Sequence, residues 1–106
     1  MKRIPLLLLL LLCIATTATA DSVKGMVALA NPGCDYFIVG TNNGYVLLEW
    51  FGGSIPCVGD MVYGDIESYG IKSLYNITKD AETRVWVDEY WLSKDRVIDR
   101  YLGKCR

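Results

Sequence analysis

The stretch Tyr36-Phe37-Ile38-Val39-Gly40-Thr41-Asn42-Asn43-Gly44-Tyr45-Val46-Leu47-Leu48-Glu49-Trp50-Phe51 decides the fold. Residues 35–41 and 45–51 are both strand-like, and Thr41-Asn42-Asn43-Gly44 between them has the Asn-Gly chemistry of a two-residue hairpin loop, centred on Asn42-Asn43 or Asn43-Gly44. In the second arm Val46, Leu48 and Trp50 fall on one face, and Tyr45, Leu47, Glu49 and Phe51 on the other. Large apolar groups on both faces predict a central hairpin, covered from two sides.

Working outward, the dominant period stays at two. Residues 23–30 form a weak first strand that Asn31-Pro32-Gly33 ends. Beyond Pro56 a fourth strand is expected over 61–67, where Gly64 suggests a bend or bulge. A turn at Ser68-Tyr69-Gly70 leads to a fifth strand over 71–77, and Lys79-Asp80-Ala81-Glu82 turns the chain into a sixth over 83–91. In that last strand Val85, Val87 and Trp91 alternate with Arg84, Trp86, Asp88 and Tyr90. The chain ends differently. Ser93 is placed to cap a helix, Asp95 lies in its first turn, and Val97, Ile98, Tyr101 and Leu102 make an apolar stripe that Gly103 is expected to stop. Leu92 and Val97 match a hydrophobic staple across the cap.

The expected fold is therefore mainly β: a small antiparallel barrel of about six short strands with one C-terminal α-helix. Its architecture resembles the SH3-like and OB-like barrels loosely over residues 23–104, with no motif specific to either, so the resemblance carries no function. The helix should cover an open end of the barrel or the outer face of the central hairpin.

Residues 1–20 stand apart from this domain. Lys2 and Arg3 precede an apolar run, and Ala18-Thr19-Ala20 has the small residues of a cleavage site, so this segment reads as a secretory signal peptide. The run is too short for a bilayer span. Leu12, directly before Cys13, is too large for lipoprotein processing. The domain is then residues 21–106, a secreted or periplasmic unit that does not span a membrane in its mature form. The eleven basic and twelve acidic residues of the chain become nine and twelve once Lys2 and Arg3 are set aside, a net charge of −3. All twelve aromatic residues lie in the domain.

Export exposes Cys34, Cys57 and Cys105 to conditions in which disulfides persist. Cys34 and Cys57 bracket the hairpin, and the loop with Gly52, Gly53 and Pro56 can fold back, so a Cys34–Cys57 bridge is expected. Cys105 is then left over, to stay free, to pair between chains, or to compete with Cys34 for Cys57.

Much chemistry is excluded by composition. There is no histidine, which removes the commonest general base, the Ser-His and Cys-His pairs and the commonest transition-metal ligand. No Cys-x-x-Cys or zinc spacing occurs, and residues 60–67 lack the calcium-loop pattern; no metal and no cofactor is expected. The acids Asp60, Asp65, Glu67, Asp88 and Glu89 read as solvated strand residues. The slight acidity argues against nucleic acid. Asn76-Ile77-Thr78 fits the N-glycosylation sequon, although a strand end suits a polar turn equally well.

Aromatic residues remain. Tyr45, Phe51, Trp86 and Tyr90 lead an expected outward patch on the central hairpin and final strand, able to contact a protein, peptide or glycan partner or simply to pair across strands. The expected function is a small exported binding or interaction module without catalysis of its own. Two alternatives stand beside it: an inhibitor or immunity-type protein acting through the 52–58 loop, and a thiol- or carboxylate-based enzyme.

Overall fold

The computed structural model describes residues 21–105, so the segment read as a signal peptide lies outside the described residues. Six strands follow in order, β1 (Val23–Ala30), β2 (Tyr36–Thr41), β3 (Gly44–Gly53), β4 (Met61–Gly64), β5 (Gly70–Asn76) and β6 (Ala81–Leu92), before the helix α1 (Lys94–Lys104). They close into an antiparallel barrel in the order β1-β2-β3-β6-β5-β4. The barrel is two three-stranded meanders joined at both edges, β3 to β6 and β1 to β4. This is the small β-barrel with one terminal helix that the alternating pattern implies.

The central hairpin pairs Thr41 with Gly44 across the two-residue loop Asn42-Asn43. Gly44 adopts φ 126°, and a Cβ there would lie 2.9 Å from the Leu92 carbonyl oxygen, so both conformation and space demand glycine. The Asn43 N–H donates to the Thr41 hydroxyl oxygen, and Asn43 Nδ2 and the Thr41 hydroxyl donate to Glu67, which ties the hairpin tip to the loop after β4.

Alternation along the strands builds two cores. Inside the barrel Val27, Phe37, Val39, Val46, Leu48, Val62, Ile66, Leu74, Val85 and Val87 are fully buried. Outside it, Ile38 and Leu47 on the reverse of the hairpin meet Leu92, Val97 and Tyr101. The helix thus lies on the outer face of β2 and β3, the second of the two positions the stripe allowed. Ser93 caps it, its Oγ accepting from the Arg96 N–H at 3.3 Å.

Three expectations about these elements need correction. Only Val97 and Tyr101 of the helical stripe are buried, whereas Ile98 and Leu102 are 36% and 59% exposed. The strip offered by Ile38, Leu47 and Leu92 is narrow, and it accepts one i, i+4 row; the next row is rotated about 100° away. Gly103 does not stop the helix, which runs to Lys104 and closes with the Cys105 N–H donating to the Tyr101 carbonyl. Strand β4 ends at Gly64 and not at Glu67. There the Ile66 N–H bonds the Gly64 carbonyl at 3.0 Å, turning Ile66 into the barrel and freeing Glu67 for the hairpin tip.

The disulfide also differs. Cys34 is joined to Cys105, with Cα atoms 5.6 Å apart across 71 residues, and Cys57 is free and exposed. The expected Cys34–Cys57 bridge does not form because the loop carrying Cys57 is bonded elsewhere. Ser54 N–H donates to Glu82 in β6 and Gly59 N–H to Val27 in β1, while α1 delivers Cys105 to the start of β2.

Candidate functional site

One end of the barrel gathers the end of β1, the start of β2, the end of β3 and the start of β4. Two loops shape it. Residues 31–35 turn tightly at Pro32-Gly33, with the Cys34 N–H on the Asn31 carbonyl and the Trp50 N–H on that of Asp35. Residues 54–60 are braced from below: the Ser54 carbonyl accepts from Trp50 Nε1 at 3.2 Å and from the Thr83 hydroxyl at 2.9 Å. Between the loops lies an open cavity of 410 Å³ walled by Phe37 and Trp50 from the barrel and by Pro32, Ile55, Pro56 and Val58 from the loops. Ile55 and Val58 are 63% and 60% exposed, so the apolar wall continues onto the rim.

A polar bracket underlies the rim. Asp60, almost fully buried, accepts from Asn76 Nδ2 at 2.8 Å, from the Cys57 N–H at 3.0 Å and from Lys79 Nζ at 3.2 Å. Burial alone would raise its carboxyl, but the Asn76 and Cys57 hydrogen bonds and then Lys79 outweigh it, and the group is held below the ordinary aspartate value. Lys79 Nζ also donates to the Ile55 carbonyl at 2.6 Å and to Cys57 Sγ at 2.9 Å. Its hydrogen bond to Cys57, and then Asp60, raise the ammonium above the ordinary lysine value. The bracket explains the sequon. Asn76 is fully buried, its Nδ2 is committed to Asp60 and its Oδ1 accepts from the Lys79 N–H, while the Thr78 hydroxyl accepts from the Met61 N–H. The turn reading of these residues is the one the geometry uses.

A second cavity adjoins the first and is polar, lined by Asp35, Tyr36, Glu49, Lys104 and the Cys34–Cys105 bridge among others. Tyr36 donates to Glu49 Oε1 at 3.4 Å, and Lys104 Nζ stands 5.4 Å from the Tyr36 ring centre. Burial, and then the Glu49 charge, raise the Tyr36 hydroxyl above its ordinary value. Cys34 is the one cysteine shared by both cavities; Cys57 faces the first and Cys105 the second.

The four aromatic residues expected to form one outward patch are not brought together. Tyr45 packs beside the helix in the outer core. Trp86 is exposed on the barrel's outer face between its register partners Glu49 and Ile71, and Phe51 is exposed in the bulge between the Trp50–Val85 and Gly52–Arg84 pairs. Tyr90 lies at the barrel end opposite the cavity, packed against the interior core and against Tyr69, with ring centres 4.8 Å apart. Strict alternation would keep Tyr90 on the face of Trp86. The shifts in the β3–β6 register and a left-handed Trp91, φ 58°, reset the phase, turning Tyr90 inward and leaving Trp91 63% exposed.

The cavity residues escaped the pattern reading because Phe37 and Trp50 look like any inward strand residues. The available signal was Ile55-Pro56-Cys57-Val58, an apolar run in a glycine-flanked loop where polar residues are usual. Among the described residues no group of three or more histidine, cysteine or carboxylate side chains is arranged to hold a metal, and no helix is long and apolar enough to cross a membrane. Compared with protein-family models, characterised proteins and solved structures, the chain matches none.

Proposed function

We propose that this chain is a small exported binding module, without catalysis of its own, that receives a bulky apolar side chain of a partner protein in the barrel mouth. The observation that carries the reading is the open 410 Å³ cavity with Phe37 and Trp50 at its base and exposed Ile55 and Val58 at its rim. Barrel mouths are common ligand positions, and a cavity of this size accepts one aromatic or aliphatic anchor. The disulfide is compatible with an extracellular or periplasmic setting. The rim is part of the 52–58 segment, so an inhibitory action on the partner would use the same surface.

Selection of short peptides from a random display library on the 21–106 chain tests this. Selected peptides should share a bulky apolar residue, and their affinity should fall tenfold or more, roughly the loss of one buried anchor, in Ile55→Asp. Equal binding to both proteins, with Ile55→Asp melting as the wild type does, would refute the site.

A further inference from the structure

The cysteine arrangement goes beyond the binding reading. Cys34 ends one bridge yet borders two cavities, with the exposed Cys57 on the wall of one and Cys105 on the wall of the other. The two loops face each other across the open cavity, and Gly33, Gly52 and Gly59 in or beside them have open space where a side chain would project. The Lys79 ammonium, 2.9 Å from Cys57 Sγ, is placed to neutralise a thiolate, the species that attacks a disulfide. We propose that the three cysteines form an intramolecular exchange switch, in which Cys57 and Cys105 trade places as the partner of Cys34.

The chemistry is balanced within the chain. The Cys57 thiol gives its proton to solvent and its thiolate attacks Cys34 Sγ; a Cys34–Cys57 bond forms as the Cys34–Cys105 bond breaks, and Cys105 leaves as a thiolate that takes up a proton. One disulfide and one thiol exist before and after, so neither oxidant nor reductant is consumed. The attack is directed to Cys34 because, of the two bridged residues, only Cys34 lines the cavity that Cys57 lines. The outcome is structural: the new bond releases the Cys57 N–H from Asp60 and Cys57 Sγ from Lys79, draws residues 54–59 across the cavity and closes it, while the end of α1 keeps the Val97 and Tyr101 packing, its ion pairs to Asp88 and Glu89 and the Lys104 contact with the Tyr36 ring.

The primary test reads the bonds in the unaltered sequence. The 21–106 chain is incubated in mildly alkaline buffer without added thiol or oxidant, acid-quenched at intervals, alkylated and mapped without reduction. Alkylation should move from Cys57 to Cys105 as the Cys34–Cys57 linked peptides rise to within about tenfold of the Cys34–Cys105 ones. Cys57→Ser should show no alkylation of Cys105 at any time. Label that stays on Cys57 alone, exchange seen only in urea, or a covalent dimer through Cys57 would each overturn the proposal. The mapping reads the bonds directly, so failure of the cavity to bind peptides leaves its result unchanged. As a second readout, the exchanged fraction should bind 8-anilinonaphthalene-1-sulfonate less than Cys57→Ser does; equal binding would overturn closure of the cavity.

Discussion

Tyr101 is one of the two helical residues that hold α1 to the barrel, and its hydroxyl is buried without a hydrogen-bond partner. The ring and the oxygen therefore pull in opposite directions. A buried tyrosine ring contributes through apolar area, whereas an unsatisfied hydroxyl carries a desolvation penalty of about 1–3 kcal/mol with no compensating bond. Tyr101→Phe keeps the ring and removes the penalty. The expected result is a gain of about 1–2 kcal/mol, and since 1 kcal/mol moves the midpoint of a domain this small by roughly 4–8 °C, Tm should rise by about 5–10 °C. Tyr101→Ala removes ring and hydroxyl together and should cost about 3–5 kcal/mol, as large core truncations do. Urea denaturation and thermal melting of the oxidised 21–106 chain, both variants side by side, measure these changes. A Tm lowered by several degrees in Tyr101→Phe would show that the hydroxyl has a partner in solution and would refute the reasoning.

Two further predictions concern the helix and the bracket. Leu102→Ala should change stability by less than about 1 kcal/mol while Val97→Ala costs about 1–3 kcal/mol; similar losses in urea melts would mean that both rows of the stripe are covered. Asp60, with its folded-state pKa depressed, contributes stability that is complete above its unfolded value of about 4 and lost as pH falls through the lower folded value. Wild type should therefore exceed Asp60→Asn in denaturation free energy by about 1–3 kcal/mol at neutral pH, with the gap shrinking below about pH 4; a gap independent of pH would rule out the carboxylate as its source.

The barrel was legible in the chain because strand alternation is a local property. Val46, Leu48 and Trp50 against Tyr45, Leu47 and Glu49 announce a two-faced hairpin with no knowledge of what covers it. The Ser93 cap is equally local, since a hydroxyl three residues before a free N–H satisfies it wherever the helix goes. The site was legible only in outline. The 52–58 loop stood out by composition, but the cavity beneath it depends on how far two strands extend past their neighbours.

What the sequence by itself determined is the class of structure and the chemistry it lacks: alternating strands, one capped helix and no histidine. Tertiary structure alone decided which cysteine meets Cys34 and where Tyr90 points. Both depend on distances between segments far apart in the chain, Cys34 and Cys105 being 71 residues apart. The facing of Tyr90 also depends on register shifts in β3–β6, where one extra residue sends every later side chain to the opposite face. Periodicity counts residues along one strand, and it carries no record of a slip that only the partner strand imposes.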